Sequence, residues 1–265
     1  MKDFSVALEL YTDDDAKKHI YAFRAESYRI VKKYELALKD YDIYFRSGDQ
    51  TADDYNRRAI VKDNLGDYMA AIADYTKAID MNSRNPVFYS NRAVCKVELK
   101  DQSGAINDYT KAIELVPTDL HSFMNRASSK DELKDYSGAI SDYSKVIFLE
   151  PENYEAYYSR GYDRSHLKQY TLALSDFNKS IELSGTDKLP YRFRAELKLE
   201  LKDYKGCIED CNVVINSNPK AMNSLLLRGR AYFKSGQKTE ACKDWSSSGE
   251  QGNKEAYTYI SKYCK

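Results

Sequence analysis

Proline, glycine and histidine are scarce in this chain: 5, 11 and 3 residues respectively among 265. So few turn-formers leave little room for hairpins or long irregular loops, and they point to a helical chain. His19, His121 and His166 are widely scattered and offer little material for a metal centre. Net charge is missing too, because 41 Lys+Arg cancel 41 Asp+Glu. That balance argues against a nucleic-acid binder built on a basic face. No stretch approaches the ~18 consecutive apolar residues of a membrane span. Met1, Lys2, Asp3, Phe4 and Ser5 make no basic region with an apolar core behind it, so no secretory signal is expected. Five cysteines at irregular spacing suit reduced thiols in a cytoplasmic protein better than a disulfide framework. There is no glycine-rich phosphate loop, no paired-cysteine metal spacing and no His-Glu-x-x-His pattern. No enzyme activity, cofactor or metal is therefore expected. What the chain has in excess is tyrosine, 24 residues.

The tyrosines belong to a period. Asp-Tyr-Thr-Lys-Ala-Ile at 74–79 returns at 108–113, and Asp-Tyr-Ser-Lys-Val-Ile follows at 142–147, a shift of 34 each time. Extending that frame gives seven units: 18–51, 52–85, 86–119, 120–153, 154–187, 188–221 and 222–255. Apolar and small residues fall near unit positions 4, 8 and 11 and again at 20, 21, 24, 27 and 28, the spacing of two helix faces. Thr51, Asn85, Asp119, Asn153 and Asp187 are suited to cap each following first helix, and Asp67, Asp101, Asp135 and Asp203 the second helices. Pro86 sits at a first helical position, where a missing N–H costs nothing. Residues 1–17 read as a partial helix or cap, and 256–265 as a capping helix with Ala256, Ile260 and Tyr263 inward and Lys254, Glu255, Lys262 and Lys265 outward.

Position 8 is small throughout (Ala25, Ala59, Ala93, Ala127, Gly161, Ala195, Gly229), as is position 20 (Ala37, Ala71, Ala105, Ala139, Ala173, Cys207, Ala241). Position 24 is Tyr41, Tyr75, Tyr109, Tyr143, Phe177, Cys211 and Trp245. Over residues 18–255 the chain resembles the tetratricopeptide repeat, a 34-residue helix–turn–helix. The resemblance implies an all-α fold, a right-handed superhelical solenoid of antiparallel helix pairs. Cys207 and Cys211 share one helix face, but their positions ask for small packing residues, so they read as core and not as metal ligands.

Position 7 departs from the family, which favours an apolar residue there. It is arginine in all seven units: Arg24, Arg58, Arg92, Arg126, Arg160, Arg194 and Arg228. Position 23 is always aspartate: Asp40, Asp74, Asp108, Asp142, Asp176, Asp210 and Asp244. An aspartate always present would cancel the positive field an acidic ligand needs, so the set reads as a structural ion-pair ladder.

The resemblance further implies a concave face lined by positions 2, 5, 6, 9, 12 and 13 of the first helices. Carried onto this chain, the groove candidates are Arg57, Asn91, Asn125, Asp131, Glu132, Tyr158, Tyr162, Phe193 and Arg230. Such positions hold nine acids (Glu26, Asp53, Asp63, Glu98, Asp131, Glu132, Glu155, Glu196, Glu200) against five bases (Arg29, Arg57, Arg192, Arg230, Lys234). A peptide with basic and aromatic side chains suits that set. The family's clamp for chaperone C-terminal tails is incomplete: Asn91 and Asn125 stand at position 6, but Asn56 and Ser90 occupy position 5, Ile60 and Val94 position 9, and His121 and Glu155 position 2. The sequence thus implies a protein–protein interaction scaffold that holds a peptide or protein segment in its groove, without catalysis. The alternative is an architectural subunit that docks through its edges or caps with no groove ligand.

Overall fold

The computed structural model describes residues 2–11, 13–46, 48–185 and 187–264. Among them are sixteen helices and no strand. In chain order they are α1 (Lys2–Leu10), α2 (Asp14–Ile30), α3 (Tyr34–Tyr44), α4 (Ala52–Asn64), α5 (Tyr68–Met81), α6 (Pro86–Glu98), α7 (Gln102–Leu115) and α8 (Leu120–Glu132). They continue with α9 (Tyr136–Leu149), α10 (Tyr154–His166), α11 (Tyr170–Ser184), α12 (Leu189–Glu200), α13 (Tyr204–Ser217), α14 (Met222–Lys234), α15 (Lys238–Glu250) and α16 (Lys254–Tyr263). The chain forms two compact units, Met1–Lys134 and Asp135–Lys265. Within each, helices pack in consecutive pairs, each against the next. Lys265, read above as an outward position of the last helix, lies outside the described residues.

Local chemistry starts and stops these helices. Thr51 makes a reciprocal capping box with Asp54, while Asn85, Asp119 and Asn153 accept bonds from the N–H groups of Val87, His121 and Ala156. Asp67, Asp101, Asp135 and Asp203 do the same for α5, α7, α9 and α13. In the six helix pairs that lie within one unit, the turn between the helices is closed by two bonds. At α6, Asp101 N–H donates to the Lys96 carbonyl and Lys100 N–H to that of Val97. Such a closure requires one residue in the left-handed region. Gly66 and Gly236 supply it cheaply, but Lys32, Lys100, Lys134, Lys168 and Lys202 adopt it with φ of 58–64°. Each of those lysines carries roughly 1 kcal/mol of backbone cost.

The core is the small–small–aromatic pattern made solid. Ala25, Ala37, Ala59, Ala71, Ala93 and Ala105 are fully buried, and Tyr41, Tyr75 and Tyr109 pack beside them. In the second unit the pattern loosens. Cys207 and Cys211 join Ala195, Ile215, Leu225, Leu227 and Ala231 in one cluster. Trp245 packs with Leu226, Ala241 and Ala256 in another. A Cβ at Gly229 would come within 2.5 Å of Trp245 Nε1, and one at Gly161 within 2.9 Å of Phe177 Cε1. Glycine at these two positions makes room for the ring across from it.

Six of the seven arginine–aspartate pairs lie within a unit, and all six are two-pronged. Arg92 Nε and Nη2 donate to Asp108 at 2.8 and 2.7 Å, and the same fork joins Arg24–Asp40, Arg58–Asp74, Arg160–Asp176, Arg194–Asp210 and Arg228–Asp244. Arg126 belongs to the first unit and Asp142 to the second. The aspartates are buried and the guanidiniums nearly so. Asp40, Asp108 and Asp244 hold Arg24, Arg92 and Arg228 in the charged form beyond their ordinary range, chiefly through these hydrogen bonds. The third nitrogen reaches back to the preceding repeat: Arg92 to Thr76 Oγ1, Arg126 to Thr110 Oγ1, Arg160 to Ser144 Oγ, Arg194 to Asn178 Oδ1 and Arg228 to Asn212 Oδ1, at 2.6–3.1 Å. Each arginine also lies over an aromatic ring, as Arg58 does over Phe45 at 3.5 Å.

Two expectations are corrected. Position 11 is not an apolar packing site in the middle repeats: Lys62, Lys96, Arg164 and Lys198 stand there and add a second cation to Asp74, Asp108, Asp176 and Asp210 at 2.6–2.8 Å. A buried carboxylate with unused lone pairs favours that second donor. The cysteines are not all reduced thiols. Cys242 on α15 and Cys264 just beyond α16 form a disulfide, with Cα atoms 5.7 Å apart, while Cys95, Cys207 and Cys211 are free and buried. An odd count does not preclude one pair, and only the docking of α16 brings these two together.

Candidate functional site

The largest concavity described in the second unit follows α12, α14 and α16. Its volume is about 740 Å³, and its lining includes Glu196, Leu199 and Glu200 of α12, Leu227, Arg230, Phe233 and Lys234 of α14, Trp245 of α15, and Tyr259 and Tyr263 of α16. Helical periodicity explains the selection. Glu196, Leu199 and Glu200 are spaced i, i+3, i+4, and Leu227, Arg230 and Lys234 i, i+3, i+7, so each set shares one helix face. A second cavity, of about 280 Å³, shares Glu196 and Glu200 and extends past Phe193 and Phe177 to Tyr162 and His166. The two cavities adjoin at Glu196 and Glu200 of α12, one toward α10 and the other toward α14.

Rings make the floor. Phe233 lies 4.4 Å from Tyr263 and 5.6 Å from Trp245, and Trp245 stacks on Tyr259 at 4.9 Å. Farther along, Phe193 stacks on Tyr158 at 6.0 Å and meets Tyr162 edge-on at 5.3 Å, while His166 stacks on Tyr136 at 4.6 Å. Trp245 is fully buried and its indole N–H has no hydrogen-bond partner. The charged rim is mixed. Partial loss of water raises the Glu196 carboxyl above its ordinary range, against the opposing pull of Arg192 and Arg230. Glu200 accepts a bond from the Tyr170 hydroxyl at 2.9 Å.

The residues expected to line a groove separate into groups. Tyr158, Tyr162 and Phe193 come together, and Arg230 borders the larger cavity. The others belong to the first unit. Arg57 borders a cavity of about 250 Å³ with His19, Phe23, Glu26, Tyr41, Tyr44 and Asp54, its Nη1 3.4 Å from Asp54. Asn91 donates to Asn56 Oδ1 at 3.1 Å. Asn125 and Glu132 are exposed on α8, with Asp131 beside them half-buried. Sequence reasoning missed Trp245, Tyr259 and Tyr263 as lining residues. Trp245 occupies a packing position of the repeat, and the two tyrosines belong to a helix read only as a cap. The i, i+4 spacing of Tyr259 and Tyr263, with the break in pattern at Trp245, was the available signal.

Known proteins place this geometry. The tetratricopeptide repeat family model matches residues 56–119. A solved tetratricopeptide repeat protein from Parabacteroides merdae superimposes with a TM-score of 0.69, over 93% of this chain and 98% of that one, at 19% identity. The chain has the tetratricopeptide-repeat fold. Its solenoid is also similar to YrrB, described as a tetratricopeptide protein with an unusual peptide-binding site (TM-score 0.58, 18% identity, 71% of this chain and 97% of that one). PilF of Pseudomonas aeruginosa is a further structural likeness of this tetratricopeptide array, with a TM-score of 0.62 at 16% identity over 80% and 96% of the two chains. No curated protein matches the chain in sequence. No helix among the described residues is long and apolar enough to cross a membrane.

Proposed function

We propose that this tetratricopeptide array is a non-catalytic scaffold that holds an extended segment of a partner protein along α10, α12 and α14. One observation carries the reading: two adjoining cavities floored by rings, with carboxylates on α12 and cations on α14. A volume of about 740 Å³ suits one or two large side chains, and aromatic and arginine side chains dominate binding at such surfaces. The fitting ligand is a peptide that places an aromatic or aliphatic side chain over Phe233 and a basic one at Glu196. The likeness to YrrB, with its peptide-binding site, supports the same reading. The ion-pair ladder is structural in this account, because its aspartates already occupy the arginines. A chaperone-tail ligand does not fit the residues at the clamp positions, and a nucleic acid finds no basic stripe in a chain of zero net charge. The reading assigns no catalysis, cofactor or metal. A cytoplasmic setting belongs to it only with the Cys242–Cys264 bond open, since disulfides persist in oxidising compartments.

The test is selection of peptides from a random display library on the purified protein, followed by titration of the selected peptides. Phe233→Ala and Arg230→Glu should weaken them roughly tenfold or more, while Asp131→Lys on α8 leaves them unchanged. Failure to select binders, or binding indifferent to Phe233, would reject the reading. The architectural alternative is favoured by one feature, the exposure of Leu10 (74%), Phe23 (64%) and Ile30 (66%) on α1 and α2. Phe23→Ser would disrupt a partner docked there and spare groove peptides.

A further inference from the structure

We propose that the Cys242–Cys264 disulfide is a redox latch on the aromatic pocket: closed, it keeps α16 docked so that Tyr259 and Tyr263 complete the ring floor; opened, it releases both. The consequence for ligand binding rests on the groove reading above, but the latch itself does not. α16 has only ten residues and packs principally on α15. A helix of that length is marginal in water and needs tertiary anchoring. Ala256 is its one fully buried residue among those described. Its other anchors are half-buried: Ile260 on the Trp245 cluster, the rings that line the cavity, Tyr259 on Trp245 and Tyr263 on Phe233, and the covalent bond at the far end of the helix. Breaking that bond removes the covalent constraint on the far end of α16 and leaves its hold to the half-buried Tyr259, Ile260 and Tyr263.

The cysteines are sorted in a way that suits such a device. Cys95, Cys207 and Cys211 are buried in the helical core, out of reach of a reductant, whereas Cys242 and Cys264 are half-buried at the end of the second unit. The reductant is a dithiol. Its thiolate attacks one sulfur and forms a mixed disulfide, and its second thiolate displaces the protein sulfur. Two electrons and two protons pass to Cys242 and Cys264, which become thiols, and the dithiol becomes a cyclic disulfide.

Trp245 is the only tryptophan of the chain, fully buried and stacked on Tyr259, so its fluorescence reads the position of α16 without any ligand. The experiment treats the intact protein with dithiothreitol and follows maleimide labelling, tryptophan emission and acrylamide quenching. Two labels per chain should appear, with emission shifted to longer wavelength, quenching increased, and far-UV circular dichroism reduced by no more than the short last helix. Cys264→Ser should show the same emission without reductant. If that variant fails to fold, the reduced natural chain supplies the same comparison. Two labels with unchanged emission and quenching would overturn the proposal. Titration of a groove-selected peptide before and after reduction separates the two readings. Weakened binding extends the latch to function, whereas a shifted emission with unchanged affinity keeps the latch and rejects the groove.

Discussion

The two units are built from the same repeat, yet they differ where the repeat is broken. In the first, every small position is alanine and the ring at position 24 is tyrosine wherever its surroundings are described. In the second, glycine replaces alanine opposite Phe177 and Trp245, cysteines fill the slots at 207 and 211, and a disulfide ties down the last helix. The cavity of about 740 Å³ lies among those departures, whereas the one beside Arg57 in the first unit is about 250 Å³. Regular residues set the spacing of the helices, and irregular ones shape what a ligand could touch.

The comparison can be broken hardest at the ladder, which is the same in both units. Asp108→Ala in the first and Asp210→Ala in the second each strand two cations, Arg92 with Lys96 and Arg194 with Lys198. Each should cost about 3–5 kcal/mol in urea unfolding. Unequal costs would mean that the units do not share their framework. Next comes the glycine contrast. Gly229→Ala pushes a methyl into Trp245 and should destabilise by roughly 1–3 kcal/mol. The reverse change in the regular unit, Ala59→Gly, should cost only about 1 kcal/mol. A neutral Gly229→Ala in thermal unfolding would erase the distinction. Smaller still, Lys100→Gly and Lys168→Gly should stabilise both units equally, by about 0.5–1 kcal/mol, by relieving left-handed lysine. The mildest effect concerns pH. The Glu196 carboxyl titrates above the ordinary range of about 4.3. A ligand cation needs its ionised form, so affinity should rise as pH climbs through that raised value, and the rise should vanish in Glu196→Gln. An unchanged pH profile in the variant would remove Glu196 from the site.

Much of the framework could be read from residue spacing because the determinants are local. Caps such as Asp101, the alanines at positions 8 and 20, and the fixed interval between Arg92 and Asp108 repeat often enough to be seen in one sequence. The second cation at Lys96 and the backward bond to Thr76 recur at the same interval, but position 11 was expected to pack as an apolar site, and residue type alone does not turn a lysine or threonine toward a buried ion pair. The site was less legible. Tyr158, Tyr162 and Phe193 gather as their helix positions imply, whereas Trp245, Tyr259 and Tyr263 meet only because the last helix folds back over the seventh repeat. That is a tertiary event, and the disulfide depends on it as well.

The backward reach of the arginines in the third to seventh repeats has a consequence for how such a chain can change length. The second to sixth repeats each offer a small polar acceptor on the returning helix, and the third to seventh each extend a guanidinium toward it. A duplicated or deleted block of 34 residues would therefore meet a matching fastener at both cuts. Growth by tandem copying needs no new chemistry at the seam, so recombination could lengthen or shorten this protein while the neighbouring repeats keep their grip.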